Sequence, residues 1–260
     1  KKRPDYLIVH LLTFIPLFLF YNNTFNTKLI LRISGKPVLS FYRRILWKLM
    51  NKKLHLIFCP TLETKKYLTE KKIFDNKKIK FLTDTVLYDI DTKQLSSKKN
   101  IKNLKKNSYY LCIGRLTKQK NQELLIKMFN LKKFKQKLLI IGDGELSNYL
   151  KNLISNLDLE KKIIMMKYQK NIFYYIKRSK AVIIPSLWED PGFVMIEAAY
   201  LKKTIICSNC PSGPREFIGK NKGGFLFNSN SITSLNNALN KFDKWNNKTI
   251  YKKIKYAKKK

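Results

Sequence analysis

The sequence predicts an α/β protein of two Rossmann-like lobes with parallel sheets, and three observations carry that expectation. From Tyr109 onward, short apolar runs end at turn residues: "YYLCI" stops before Gly114, "KLLII" before Gly142, "AVIIP" at Pro185 and "TIICS" at Ser208. Each is rich in Ile and Leu and apolar almost throughout, as strands covered by helices on both faces are. Between them, "NQELLIKMFNLKKF", "ELSNYLKNLISNL" and "NIFYYIKRSK" repeat apolar residues at helical spacing. The resulting β-α-β-α order predicts a doubly wound parallel sheet. Residues 7–90 repeat the rhythm in shorter form, which predicts a second sheet of the same kind.

The elements follow in chain order. "KKRPDYLIVHLLTFIPLFLFYNN" has the basic head and apolar middle of a secretory signal, but it carries Asp5, His10 and Pro16 and lacks a small-residue cleavage site. Its apolar stretch from Leu7 to Phe20 is too short to span a bilayer. A buried strand running into a helix is expected instead. "KLILRIS", "LHLIFCP" and "IKFLTD" supply further strands, with helices near 40–51 and 62–71, and His55 is expected to pack within its strand. "FYRRILWKLMNKKLHL" (41–56) interleaves Arg43, Arg44, Lys48, Lys52 and Lys53 with Phe41, Ile45, Leu46, Trp47 and Leu49. A basic amphipathic helix with a Trp suits an anionic membrane surface, and an ordinary surface helix packed on its own sheet accounts for it equally. The polar stretch "DTKQLSSKKNIKNLKKN" (91–107) reads as a linker. The expected domains are therefore a partial first lobe with linker over 1–107 and a second lobe over 108–260, with the ligand in the cleft between them.

Composition narrows the function classes. The formal charge is +37, yet only seven of the 54 basic residues are Arg. The Lys, Asn and Ile richness fits a coding bias, and the Arg forks that read base edges are scarce. A basic nucleic-acid-binding module accounts for the charge but not for the ordered strand ends described next, and no specific nucleic-acid partner is expected. The charge favours anionic surfaces through a salt-sensitive attraction. Four cysteines do not make a disulfide framework in a chain of this length. Cys207-Ser-Asn-Cys210 spells CxxC but has no second pair or nearby His, so it reads as cysteines at a strand end and in the next loop. Asp89-Ile90-Asp91 resembles a metal-binding DxD but stands beside the linker without a partner motif, and no metal is expected. A cytoplasmic location, peripheral at the inner membrane face, is the expectation.

In open α/β sheets, ligands bind beyond the carboxyl ends of the strands. After "YYLCI" comes Gly114-Arg115-Leu116-Thr117-Lys118-Gln119-Lys120, and after "KLLII" comes Gly142-Asp143-Gly144-Glu145. After "AVIIP" comes "SLWEDPGFVMIEAAY", in which Glu189 and Glu197 flank a Pro-Gly step at a helix start. Backbone N–H groups of Gly192, Phe193 and Val194 would form an anion site aided by the helix dipole. A pyrophosphate there would be bracketed by Arg115 and Lys120. Glu189 can reach a ligand lying over the helix N-terminus, and Glu197, inside the helix, can accept from a vicinal diol such as a ribose. Gly142-x-Gly144 lacks the third glycine of a dinucleotide fingerprint, which disfavours a nicotinamide enzyme.

"EDPGFVMIEA", "GRLTKQKN", "IIGDGEL" and "CPSGPREFI" together resemble the motifs of retaining glycosyltransferase family four (glycosyl transferases group 1), which has the GT-B fold. "RPDYLIVHLLT" and "LRISGKP" match the family's acceptor-side lobe. The resemblance implies a hexosyltransferase that takes a nucleotide sugar (a UDP- or GDP-sugar) as co-substrate, with no other cofactor. The acceptor would be a glycan or lipid-linked molecule, in surface polysaccharide or glycoconjugate synthesis. It implies that Gly114, Arg115 and Lys120 serve the donor diphosphate, that Glu189 holds the transferred sugar and Glu197 the ribose. It also implies that Gly142 and Gly144 lie near the nucleotide, Tyr168 near its base, and that His10 faces the donor sugar. Lys167 stands where the family commonly has glycine. The family's first strand and Gly-rich loop have no counterpart, about a hundred residues at roughly 30 per β-α unit, and the last helix is expected to stop early. An inactive piece of a glycosyltransferase is therefore a further expectation.

Overall fold

The computed structural model describes residues 4–10, 14–83, 104–132 and 134–258. The chain divides into two compact units, residues 1–84 and 85–260. Most of the expected linker, and Asp89 and Asp91 with it, lies outside the described residues; Leu104 belongs to the core of the second unit.

The first unit runs β1 (Tyr6–His10), α1 (Phe14–Asn22), β2 (Lys28–Arg32), α2 (Phe41–Met50), β3 (Leu54–Cys59), α3 (Leu62–Glu70) and β4 (Ile79–Phe81). The strands pair in parallel in the order β1-β2-β3-β4, with Tyr6 opposite Lys28 and His10 opposite Arg32. Ser40 caps α2 by accepting from the Arg43 N–H, and Thr61 caps α3 by accepting from that of Thr64, satisfying donors that a helix start leaves open. The core gathers Leu17, Leu29, Leu31, Trp47, Met50 and Ile57.

Two expectations for this unit fail. β1 is not a buried strand: Tyr6 and Ile8 are 52% and 60% exposed, and Val9 alone is buried. It lies at the sheet edge with one hydrogen-bonded neighbour among the described residues, so an all-apolar run is not covered on both faces. His55 sits in β3 but on its exposed side, with its ring 6.0 Å from that of Tyr6. Between the two accounts of 41–56, the burial of Trp47 agrees with the helix packed on its own sheet. The helix stops at Met50, and Trp47 and Met50, three apart, form its inward stripe, with the indole 5.2 Å from the Phe74 ring.

The second unit runs β5 (Tyr109–Ile113), α4 (Gln122–Leu131), β6 (Lys137–Ile141), α5 (Ser147–Asn156), β7 (Ile163–Met166), α6 (Ile172–Arg178) and β8 (Ala181–Ile184). It continues with α7 (Phe193–Tyr200), β9 (Ile205–Ser208), α8 (Pro214–Ile218), β10 (Phe225–Phe227), α9 (Ile232–Lys244) and α10 (Asn247–Lys258). All six strands are parallel, in the order β10-β9-β8-β5-β6-β7. Alternate residues feed two cores. Tyr110, Cys112, Leu138, Ile140 and Ile183 face one; Tyr109, Leu111, Leu139, Ile141 and Val182 face the other. The four inner strands therefore need apolar residues at every position, as read from their sequence. β7 and β10 went unnoticed because each is a short edge strand of three or four residues.

Candidate functional site

Strand order locates the site. β5 leads outward to β6 on one side, whereas the chain returns to pair β8 on its other side. The loops after β5 and β8 consequently diverge from a switch point, where doubly wound sheets open a crevice.

The loop after β5 is held from below. The Gly114 N–H donates to Ile141 O, that of Leu116 to Asp143 O, and that of Leu146 to Leu116 O. This close approach requires glycine at 142 and 144: a Cβ on Gly142 would fall 1.9 Å from Gly114 O, and one on Gly144 2.5 Å from Leu116 O. Gln122, buried at the start of α4, donates from its side chain to Arg115 O at 2.9 Å. Asp143 then ties in the loop after β7, accepting from the Tyr168 N–H at 2.8 Å.

The loops after β5 and β8 are joined directly. Leu187 N–H donates to Gln119 O, the Gln119 side chain donates to Trp188 O at 2.9 Å, and Arg115 donates to Gln119 Oε1 at 3.3 Å. At the centre, Lys120 Nζ lies 2.5 Å from Glu189 Oε1, with only 19% and 8% of the two side chains exposed. The Ser186 hydroxyl donates to the same oxygen at 2.6 Å. The Glu189 backbone is clamped by the loop after β9: its N–H donates to Pro211 O, and its carbonyl accepts from the Ser212 N–H. A buried ion pair with a third hydrogen-bonding partner tolerates loss of one member badly, because the other charge is left unpaired.

Over these groups lies a pocket of ≈ 260 Å³ whose walls include Arg115, Lys120, Glu189, Gly192, Phe193 and Val194. Gly192 precedes α7 with φ +93°, a left-handed conformation open to glycine. No acidic residue stands in the first turn of α7, and the carboxylates that share its N-terminal end, Glu189 and Asp190, come from the preceding loop.

Six sequence-predicted residues thus meet in one pocket. Gly114 does not line it; a Cβ built there would stand 3.5 Å from the Lys120 stem. Gly142 and Gly144 support the β5 loop from beneath. Tyr168 is exposed and reached through Asp143, and Glu197 is half-buried further along α7; neither lines this pocket. His10 belongs to the first unit. It ends β1 with Nε2 2.6 Å from Arg32 and 3.1 Å from the Ser34 hydroxyl. Sequence reasoning passed over Gln119, Ser186 and Asp143, although all three stand inside the stretches that suggested the site. Cys207 is the penultimate residue of β9, Cys210 lies in the next loop, and both are buried free thiols. Burial pushes the Cys210 thiol up to about 11, so it is protonated and a poor metal ligand. Among the described residues, no three His, Cys, Asp or Glu side chains gather to hold a metal.

Known proteins resemble the chain in sequence and in fold. The chain is 35% identical over 239 residues to an uncharacterized glycosyltransferase of Methanocaldococcus jannaschii, covering 83% of this chain and 58% of that protein. It is 32% identical over 149 residues to a UDP-Gal:alpha-D-GlcNAc-diphosphoundecaprenol alpha-1,3-galactosyltransferase of Escherichia coli, covering 55% of this chain and 38% of that one. It therefore spans little more than half the length of the first of these relatives and less of the second. Anabaena HepE, solved in complex with UDP and glucose, superposes with a TM-score of 0.78 at 18% identity, over 98% of this chain and 72% of that one. That likeness shows the GT-B fold class. The family model described as glycosyl transferases group 1 matches residues 93–260, and the chain belongs to that family.

Proposed function

We propose that the chain is part of a retaining glycosyltransferase that moves a hexosyl group from a UDP-sugar to a lipid-linked or glycan acceptor, in surface polysaccharide or glycoconjugate synthesis. One observation carries the reading most: Arg115, Lys120 and the N-terminus of α7 present positive charge to a single pocket at the switch point of the sheet. As the bond between sugar and diphosphate breaks, negative charge grows on the leaving group. Cations and N–H dipoles gathered at the pocket stabilise that charge. Glu189, beside them, is placed to hold hydroxyls of the transferring sugar, and Glu197 the ribose. His10 would face the donor sugar from the first lobe. No metal is needed to balance the diphosphate in this scheme, and no cofactor beyond the donor. UDP is favoured over GDP by the complexes of the solved neighbour, and a polyprenyl-diphosphate acceptor by the printed activity of the Escherichia coli relative.

Such an acceptor lies at a membrane. No helix among the described residues is long and apolar enough to cross one. Attachment would be peripheral at the cytoplasmic face, through Arg43, Arg44 and Lys48 with the exposed Phe41, Ile45 and Leu49 of α2.

Calorimetric titration with UDP tests the donor assignment. Replacing Arg115 and Lys120 together by Ala is expected to weaken UDP binding at least a hundredfold while uridine binding stays within about threefold, as expected when charge-assisted contacts are lost. Equal loss for both ligands, or no UDP binding by the parent, would remove the basis for the reading.

A further inference from the structure

We propose that Ser186 is a positioning residue for Glu189: its hydroxyl keeps the carboxylate in place when Lys120 turns from it to the donor diphosphate. The inference rests on the donor reading above and goes beyond it in giving Glu189 two alternating partners. Lys120 and Ser186 both act on Oε1, at 2.5 and 2.6 Å. Their attachments differ. Lys120 comes from the loop after β5 on a long flexible stem, and a diphosphate in the pocket competes with Glu189 for its ammonium. Ser186 is 1% exposed, two residues beyond β8, and has a short side chain with little freedom.

Ser186 is itself anchored. Its carbonyl accepts from the Ser208 hydroxyl at 2.5 Å, and Ser208, the last residue of β9, is wholly buried. The Glu189 backbone is fixed by Pro211 and Ser212. What remains to be set is the carboxylate's rotation. Its other oxygen, Oε2, lies toward Gly192: a Cβ built there would stand 3.6 Å from it. Holding Oε1 on Ser186 therefore presents Oε2 beside the α7 N-terminus, where the sugar follows the phosphates. Without the hydroxyl, a carboxylate only 7% exposed would lose its second donor when Lys120 leaves, an unfavourable state for a buried charge. It would follow the ammonium or turn away from the sugar.

The test compares UDP with UDP-glucose, UDP-galactose, UDP-N-acetylglucosamine and UDP-N-acetylgalactosamine by calorimetry, using for each variant the sugar nucleotide the parent binds best. Ser186→Ala is expected to leave the Kd for UDP within about twofold and to weaken the sugar nucleotide about tenfold, the size of one charged hydrogen bond. Ser186→Thr, which keeps the hydroxyl, should return the ratio of the two constants to within about threefold of the parent's. Thermal melts of both variants report whether the fold is intact. Equal weakening of UDP and the sugar nucleotide would make Ser186 a merely structural residue, and no change in either would show that Lys120 suffices; both results overturn the proposal. A parent that binds UDP but none of the four sugar nucleotides overturns it too, while leaving the diphosphate site standing. A parent that binds no UDP removes the donor reading and this inference together.

Discussion

The two units use the same kind of strand and treat it differently. β6 and β8 are apolar runs of four or five residues, with neighbours on both sides and a core on each face. β1 is a mostly apolar run of the same length, with one neighbouring strand among the described residues and most of its side chains exposed. The ends of the strands differ in the same sense. In the second unit the β5 and β8 loops interlock through Gln119, Lys120 and Glu189, and the central ion pair is buried. In the first unit His10, Arg32 and Ser34 meet on an exposed edge. An apolar run thus states that a strand is suited to burial, and its neighbours decide whether burial occurs. A well-covered sheet also lets loops at the carboxyl ends of its inner strands hold a charged pair out of water.

The widest contrast is expected in the cores. Ile183→Ala in β8, at a fully buried position, should lower unfolding free energy by about 2–5 kcal/mol. Ile8→Ala in β1 should change it by no more than about 0.5 kcal/mol. Urea titrations followed by circular dichroism measure both, and comparable losses would mean that the outer face of β1 is covered in solution.

A smaller effect is expected at the loop junction. Gly142→Ala must displace the Gly114 carbonyl and should destabilise the second unit by more than about 1 kcal/mol. It should also weaken UDP binding, because Arg115 and Lys120 ride on the displaced loop. Unaltered affinity in a destabilised variant would separate the support of the loop from the function of the pocket.

A further effect concerns pH. Lys203, before β9 at the opposite end of the sheet, donates to Ser179 O, and burial lowers its pKa to about 8 from 10.5, with the Lys106 charge adding to the shift. The folded chain therefore releases this proton more readily than the unfolded chain. The penalty on folding is full below pH 8 and is relieved as pH rises from about 8 to 10.5. Lys203→Met should accordingly raise Tm relative to the parent more at pH 7 than at pH 10.5. A difference independent of pH would show that the ammonium is solvated.

Much of this was legible before any coordinates. The alternation from Tyr109 to Ser208 named four strands of the second unit, and the residues following them named the pocket. Arg115 and Lys120 stand out as cations after a strand-ending glycine, and Glu189 with Gly192 as an acid and a turn before a helix. Ser186, Gln119 and Asp143 were not legible, because Ser, Gln and Asp in loops are ordinary and their roles depend on partners 3 to 69 residues away. The orientation of Trp47 was left open for a related reason: an amphipathic helix has an apolar stripe whether it faces lipid or its own sheet.

The sequence by itself determined the periodicities, the places where strands end and the kinds of charge found there, because each of these is set by residues within a few positions of one another. The tertiary structure alone decided that β8 returns beside β5, that Lys120 meets Glu189, that Trp47 is buried and that β1 is exposed. Strand order and burial are settled by pairings between distant segments, and a local pattern of apolar and polar residues is compatible with several such pairings until the sheet selects one.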